Sequence, residues 1–368
     1  MKITTYRIVI LLLIIPLFSF SNYPIKGKYK KTKNVSKTFD ANDNTILNIK
    51  NKYGNVDIVT WDENRIEIDV KITISGNDED ELDQILEKTF IDFKNNNNQV
   101  FAITQVNKKK SKSWFSSSWF SSWSSNSSTN YQIDYKVKMP IENNLNITND
   151  YGSIILNELN GEANIHCDFG KLIIGRLNNI KNEIHFDYTK HSNFDYIENA
   201  KIYADFSGFN VEKAKTIILN ADYTSSNFEQ INDLKYTCDF GSLQIQNAET
   251  INGNGDYVSI RLGEIYKTVN INANFGSLKI DKLDKDFENV KIKSDYTSIK
   301  IGIDSEASCN IKADLSFGNF SYNGDLFTFN KIKEKSMDKE YEGYFNTKSS
   351  NSYITTDTEF GSVKLYQK

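Results

Sequence analysis

The amino-acid sequence predicts an all-β protein, a β-solenoid with a small N-terminal α+β cap. Three observations predict it: an aromatic motif that recurs every 17 to 21 residues, an alternation of apolar and polar residues around that motif, and very little helical periodicity. A repeat of this length is too short to bury its own apolar face, so consecutive repeats must stack on one another.

Each copy of the motif is a polar or acidic residue, an aromatic ring and then a small residue. The rings alternate Tyr and Phe through ten copies, and one more copy follows later in the chain. We predict that they point into the core as a structural ladder. The ladder residues are Tyr151, Phe169, Tyr188, Phe206, Tyr223, Phe240, Tyr257, Phe275, Tyr296, Phe317 and Phe360.

The alternation of Tyr and Phe has a period of two repeats. We therefore predict that one solenoid turn holds two repeats, with Tyr above Tyr and Phe above Phe at the ~4.8 Å strand separation. The Asp that usually precedes the ring is interpreted as a turn residue whose carboxylate accepts backbone N–H bonds. Asp-Phe-Gly recurs without a Gly-rich loop or a catalytic loop, which excludes a kinase motif.

Residues 1–21 are typical of a secretory signal peptide. Lys2 and Arg7 precede or flank an apolar run, and Ser19 and Ser21 suit cleavage. No cysteine lies near the cleavage site, and no later stretch has the ~18 apolar residues of a membrane span. We therefore predict export to the periplasm or cell surface without a lipobox or a transmembrane segment. The polar, lysine-rich residues 22–44 are predicted to form a flexible leader.

Residues 45–140 are predicted to cap the solenoid. They contain an isolated copy of the motif at Tyr53, with strands near 45–49 and 56–61. Asn77 or Asp78 is predicted to cap a helix that ends near Lys88, because Leu82 and other apolar residues share one face. Further strands are predicted at 65–74, 90–94, 99–106 and 131–139. Such a segment would cover an apolar end that could otherwise pair with a second molecule.

Within the cap, residues 107–130 form a serine-rich insertion that carries several lysines and five large rings. Three interpretations stay open: a disordered insertion, a hydrophobic contact for a partner protein or the membrane surface, and a platform for glycan stacking. Partition onto lipid vesicles before and after deletion of 113–123 would test membrane contact. The rings of this candidate contact loop are Trp114, Phe115, Trp119, Phe120 and Trp123.

The repeats are predicted to occupy residues 141–328. Residues 329–352 are predicted to be an insertion that covers the C-terminal edge, and residues 353–368, with the motif at Phe360, to be the closing strand of the solenoid. Cys167 and Cys238 occupy the same repeat position four repeats apart, beyond disulfide reach. We predict that both are buried free thiols and that Cys309 is also unpaired.

The sequence predicts no enzyme, and no catalytic, cofactor-binding or metal-binding residues. Acidic residues are spread one per repeat, as turns require, whereas a glycan-cleaving site would need a carboxylate pair or an acidic calcium cluster. Three or more carboxylates converging in one groove would favour an enzyme. His166, His185 and His191 are interpreted as surface or turn residues. The net charge of −4 argues against a nucleic-acid partner.

The motif at Asn51 to Val56, with Trp61-Asp62 after it, and the Asp-Tyr-Gly-Ser and Asp-Phe-Gly-Ser series resemble a known family. The chain is similar to the DUF4097-type β-strand-repeat proteins of Bacteroidota, which are also labelled "putative adhesin". The likeness covers nearly the whole mature chain. It implies a right-handed β-helix in the cell envelope, and it brings no catalytic residues.

From these features we predict an exported, non-enzymatic surface that contacts an envelope protein or a polysaccharide, adhesin-like or structural in role, with no cofactor. One alternative is a carbohydrate-active β-helix enzyme, a lyase or hydrolase. Another is an envelope sensor that touches the membrane through the Trp-rich loop. The sequence does not specify the ligand or the oligomeric state.

Overall fold

The computed structural model describes residues 27–96, 98–107 and 129–368. The described chain is all-β, which confirms the predicted fold class at that level. Its strands join in one sheet, and it contains one helix. Within these residues, nothing helical has both the length and the apolar character needed to cross a bilayer.

In the N-terminal part, each of the two strands that flank Tyr53 pairs in parallel with one strand of an antiparallel group. Helix α1 has the predicted start, since the Asp78 carboxylate accepts the Glu81 N–H at 3.0 Å and acidic residues fill the first turn. The elements are β1 (Tyr29–Asp40), β2 (Ile46–Lys52), β3 (Val56–Trp61), β4 (Arg65–Gly76), α1 (Glu79–Lys88), β5 (Phe90–Asn96), β6 (Gln99–Gln105) and β7 (Asn130–Pro140).

The prediction that residues 22–44 form a flexible leader is wrong for much of this segment. Strand β1 pairs antiparallel with β4 in unbroken register from Tyr29↔Gly76 to Asp40↔Arg65. Lys30, Lys31 and Lys33, three of the lysines that suggested a solvated tail, lie on β1, which pairs with β4 along one edge and with no other strand of the described chain. Lysine suits such an edge because its charge discourages pairing with another molecule.

In the repeat region, each repeat contributes one strand before the aromatic ring and one after it. The strand before the ring pairs in parallel with its equivalent in the next repeat, and the strand after the ring does the same. We call one such repeat a rung. The strands are β8 (Asn144–Asp150), β9 (Ile154–Leu159), β10 (Ala163–Asp168), β11 (Leu172–Leu177), β12 (Asn182–Asp187), β13 (Ser192–Asp205), β14 (Gly208–Asp222), β15 (Ser225–Asn274), β16 (Ser277–Leu283), β17 (Asn289–Asp295) and β18 (Ser298–Ile303).

The predicted two-repeat turn is wrong. Tyr151 stacks directly on Phe169 with a centroid distance of 5.0 Å, and Phe169 stacks on Tyr188 at 4.8 Å. The backbone agrees, because Asp150 is the register partner of Asp168 and Asp168 that of Asp187. One repeat therefore makes one rung, and Tyr and Phe interleave in a single column.

The prediction that the rings point into the core is also wrong. The ring residues from Tyr151 onward are 43–53% exposed, and every ring residue of the column has a φ of 49–67°. This left-handed backbone reverses the alternation at the ring, so the residue two before it, such as Ala204, stays buried while the ring turns outward. The core is largely aliphatic, as in the buried register series Ile165, Ile184 and Ile202, and its buried rings, such as Phe209 and Phe228, come from other positions of the repeat.

Substitutions at Phe206 should separate the backbone cost from the ring contacts. Phe206 has a φ of 51° and stacks on Tyr188 and Tyr223. We expect Phe206→Ala to lower the free energy of unfolding by about 2 kcal/mol, because both ring contacts are lost while the left-handed backbone is kept. Phe206→Gly should cost about 1 kcal/mol less, since glycine adopts positive φ freely. Urea midpoints measure the order, and an alanine variant as stable as the glycine variant would contradict it.

At the C-terminus the rung order departs from the order of the sequence. Strand β23 lies between β17 and β19, and β24 lies between β18 and β20. Phe360 accordingly stacks between Tyr296 and Phe317, at 4.8 and 4.7 Å. The last strands are β19 (Cys309–Ser316), β20 (Asn319–Asn323), β21 (Phe327–Lys335), β22 (Asp338–Phe345), β23 (Tyr353–Glu359) and β24 (Ser362–Gln367).

The prediction that residues 353–368 close the solenoid is therefore wrong, because they form an internal rung. The second edge of β19 is occupied by β22, which pairs with it antiparallel and carries β21 as the outer strand of a hairpin. With that edge taken, the returning copy pairs on the other side of β19. Most of the predicted insertion 329–352 is this hairpin.

Candidate functional site: an aromatic ladder beside a row of aspartates

The predicted site residues fall into two groups. The Trp-rich contact loop, Trp114 to Trp123, lies outside the described residues, as does the predicted signal peptide 1–21. The ring residues, in contrast, all meet at one corner of the sheet, where each strand before a ring turns into the strand after it. We call this column the aromatic ladder. In spatial order it contains Tyr53, Tyr151, Phe169, Tyr188, Phe206, Tyr223, Phe240, Tyr257, Phe275, Tyr296, Phe360 and Phe317.

The rings of the aromatic ladder stack face to face. Neighbouring centroids are 4.7–5.3 Å apart and the interplanar angles are 1–14°. Eleven such steps at the ~4.8 Å strand separation give a column roughly 53 Å long. Since each face is covered by the next ring, the solvent meets ring edges and, at the tyrosines, hydroxyl groups.

A row of aspartates runs beside the aromatic ladder, one residue before each of seven consecutive rings. We call it the aspartate row: Asp150, Asp168, Asp187, Asp205, Asp222, Asp239 and Asp256. Backbone N–H groups of the following rung donate to five of these carboxylates, for example Asp205 N to Asp187 Oδ1 at 3.1 Å and Asp222 N to Asp205 Oδ1 at 3.2 Å. The predicted role as acceptors of backbone N–H bonds is confirmed, although the donor lies in the next rung and not in a local turn.

Stacked carboxylates repel one another. Partial burial raises the pKa of Asp222, and the neighbouring charges of Asp205 and Asp239 raise that pKa further, against the opposing effect of the Asp239 N–H. Asp187 behaves alike: burial raises its pKa most, and the charges of Asp168 and Asp205 add to the rise. Around Asp187 and Asp222, the aspartate row is therefore a strip of unfavourable negative charge that a cation would relieve.

Replacing Asp187 and Asp222 by Asn should stabilise the protein at pH 7. A carboxyl with a raised folded pKa destabilises the folded state above that pKa, and this penalty disappears as the pH falls to the unfolded value of about 3.9. The double variant should therefore have a higher Tm than the wild type at pH 7 and the same Tm near pH 3.5. Thermal unfolding followed by circular dichroism measures both, and a variant that is less stable at pH 7 would contradict the repulsion.

The histidines lie at one end of the row. His166 Nε2 is 3.1 Å from Asp168 Oδ2, and the potential ligand atoms of Asp150, His166 and Asp168 lie within 4.8 Å of one another. The hydrogen bond to Asp168 raises the pKa of His166. Lys52 already places its ammonium 3.7 Å from Asp150. His185 stacks on Tyr203 with a centroid distance of 4.3 Å.

A shallow groove of about 480 Å³ opens beside the C-terminal part of the aspartate row. Four carboxylates and Lys293 line it together with asparagine and serine side chains. The carboxylates are Asp256, Asp295, Asp357 and Glu359. The sequence did not predict this group, because Asp357 and Glu359 come from the returning copy and reach Asp295 only through the changed rung order.

The three cysteines are buried and unpaired, as predicted. Burial raises the pKa of each thiol to about 12. These thiols are therefore protonated at neutral pH and contribute packing and not reactivity.

Comparison with known proteins gives distant structural likenesses. No family model and no curated protein matches the chain. A solved "putative adhesin" from Parabacteroides merdae is 11% identical with a TM-score of 0.28, covering 93% of this chain and 98% of its own. Another from Bacteroides fragilis is 10% identical with a TM-score of 0.27, covering 90% and 97%. A "putative cell adhesion protein" from Clostridium sporogenes is 11% identical with a TM-score of 0.19, covering 92% and 100%. Such low TM-scores do not establish a shared fold, and the names assign no activity to this chain.

Proposed function

We propose that this protein is an exported, non-enzymatic β-solenoid that presents its ring-bearing corner for adhesin-like contact with an envelope protein or polysaccharide. The aromatic ladder carries this proposal. It sets half-exposed rings at regular spacing along roughly 53 Å of one corner. A continuous apolar strip of this length on a folded protein marks a contact surface.

A solenoid accounts for the pairing better than an open sheet of unrelated strands. Every repeat from Tyr151 to Phe206 pairs with the repeat before and after it at equivalent positions, on both sides of the ring. A right-handed coil follows the general rule for connections between parallel strands. Such a rod has little internal freedom, so binding costs little ordering of the surface.

The proposal is tested by sedimentation of the purified protein with isolated bacterial envelopes. We expect the variant Tyr188→Asn, Phe206→Asn, Tyr223→Asn and Phe240→Asn to sediment with envelopes at least fivefold less than the wild type. Asparagine is chosen because it tolerates the left-handed backbone of these positions. A matched control replaces exposed apolar residues elsewhere, Ile180, Tyr266 and Ile332, by Asn. An equal decrease in sedimentation for the two variants, or no decrease for either, would contradict contact through the corner.

The groove favours a second candidate, a carbohydrate-active enzyme. Its four carboxylates and Lys293 meet the condition set out above for a glycan-cleaving site. The test is incubation with acidic and neutral polysaccharides, followed by assay of new reducing ends and of unsaturated sugar products. Release by the wild type that Asp295→Asn and Glu359→Gln abolish would establish the enzyme. If the wild type releases no sugar product from any polysaccharide, the enzyme is contradicted and the contact role is retained.

A further inference from the structure

Three consecutive rungs of the aspartate row, those of Phe206, Tyr223 and Phe240, have carboxylates without a positively charged neighbour. Within the described chain, no lysine or arginine forms an ion pair with Asp205, Asp222 or Asp239. The outward residues two positions earlier on the strands are Tyr203, Asn220 and Thr237, and those after the rings are Gly208, Ser225 and Ser242. All six are neutral, so this window carries three negative charges and no nearby positive charge.

The nearest lysines outside these positions do not pair with the three aspartates. Lys201 and Lys235 lie on the same strands but four residues before Asp205 and Asp239, ~13 Å away along an extended chain. Lys190 follows the ring of the adjacent rung, that of Tyr188, and Lys171 follows the ring of the rung before it, so neither lies within the three rungs. The three rungs themselves therefore place no positive charge beside their carboxylates.

The rings of the window offer edges and not faces. Phe206 and Tyr223 are 4.8 Å apart with an interplanar angle of 3°, and Tyr223 and Phe240 are 4.9 Å apart at 5°. A ligand that stacks flat on a ring, as a sugar does, finds the faces covered. Flexible methylene chains can lie against ring edges, and lysine and arginine carry such chains below their charged heads.

We propose that this three-rung window binds an extended lysine- or arginine-rich polypeptide, with its methylene stems on the ring edges and its cationic heads at Asp205, Asp222 and Asp239. The proposal rests on the proposed contact function and names the class of partner. Charge complementarity selects a cationic chain, and the linear arrangement of the acceptors selects an extended one.

A second corner of the same rungs supplies an internal control. Asp195, Glu212 and Glu229 also follow one another on consecutive rungs, because their neighbours Phe194, Val211 and Phe228 are register partners. All three are exposed, and no ring of the aromatic ladder accompanies them. This column matches the window in the number of carboxylates and in their rung spacing, but it lacks the rings and has the exposed Lys213 beside Glu212.

The test uses fluorescein-labelled decalysine and fluorescence anisotropy at low ionic strength. We expect the triple variant Asp205→Asn, Asp222→Asn and Asp239→Asn to bind decalysine at least tenfold more weakly than the wild type, and both to weaken with added salt. The substitution is conservative, because Asn274 already occupies the equivalent position and its Oδ1 accepts the Asp295 N–H at 3.1 Å. The control triple, Asp195→Asn, Glu212→Gln and Glu229→Gln, should bind within twofold of the wild type.

A third variant distinguishes the contribution of the rings to decalysine binding from that of the carboxylates. It carries Phe206→Asn, Tyr223→Asn and Phe240→Asn and keeps every carboxylate. It should bind decalysine at least threefold more weakly. Equal weakening by the two charge triples would show attraction to net charge alone and would overturn the proposal. Tighter binding of a chitosan oligosaccharide than of decalysine, with the same dependence on the aspartates, would also overturn it, in favour of an amino-sugar polymer.

The same variants separate this inference from the proposed function. If envelope sedimentation depends on the rings but decalysine binding is unchanged by substitutions in the window, the cationic partner is contradicted and contact through the corner is supported. If sedimentation with envelopes does not depend on the rings, both the contact function and the cationic partner are contradicted. Circular dichroism of each variant at the assay temperature shows that the folded protein is being compared.

Discussion

A chain that ends at Ser352 is expected to lose the structure of residues 309–345 while the preceding rungs stay folded. Strands β23 and β24 are the sole link in the described sheet between β17 and β19 and between β18 and β20. The truncation removes the buried side chains of Ile354, Val363 and Leu365, worth roughly 6 kcal/mol together. It also removes Phe360 from between Tyr296 and Phe317.

Hydrogen exchange measured by mass spectrometry reports this loss segment by segment. In the truncated protein, peptides from 309–345 should exchange as an unfolded chain, and peptides from 144–265 should keep their protection. The control is the full-length chain with Lys364→Gln, an outward position of the same strand. Full protection of β19 after truncation would show that the tenth repeat stacks on the ninth directly, and that the internal rung is wrong.

Gly170→Ala is expected to lower the free energy of unfolding by about 3 kcal/mol. A Cβ at Gly170 would lie 2.0 Å from the carbonyl oxygen of Gly152 and 2.9 Å from the Cys167 sulfur. The oxygen belongs to the backbone of the neighbouring rung, so it cannot move without disturbing the rung spacing. Gly152 makes an equally close approach to the carbonyl oxygen of Gly54.

Gly208→Ala is the matched control for this prediction. A Cβ there would meet nothing nearer than the Ser225 oxygen at 4.0 Å, so we expect a change within about 0.5 kcal/mol or a slight gain from the less flexible unfolded chain. Urea unfolding of the two variants and the wild type measures the difference. Similar midpoints for Gly170→Ala and Gly208→Ala would contradict the close approach of the rungs.

Much of the fold could be predicted because it depends on local periodicity. The alternation around each ring gave the strands, and Asp78 with the acidic residues after it gave the start of α1. The free cysteines followed from their spacing in the repeat. The direction of the rings could not be predicted in this way, because a hydrophobic ring normally counts as core and the positive φ that turns it outward is a property of the backbone.

The sequence did contain one trace of that reversal. Phe275 and Leu278 are three residues apart, which breaks the two-residue period of a strand, and Leu278 is buried while Phe275 is not. The order of the last rungs left no such trace. The returning copy at Phe360 resembles its neighbours, so only the pairing of β22 with β19 decides where it can insert.

Part of the candidate site could also be predicted, because that part depends on the local sequence around each ring. Each Asp of the aspartate row was recognised as a backbone acceptor from its place before a ring. That these residues form one uncompensated row depends on single-repeat rungs, which the regular alternation of Tyr and Phe concealed. The groove at Asp295 depends on a contact with Glu359 across 64 residues of chain.

The most direct test of this account is the distance between spin labels at Asn146→Cys and Lys291→Cys, measured by double electron–electron resonance. The two positions occupy equivalent places eight repeats apart, and the native thiols, with pKa values of about 12, should not react with the label. One repeat per rung predicts a separation of ~38 Å at the strand spacing. A separation of ~19 Å would mean two repeats per turn and would contradict the single aromatic ladder.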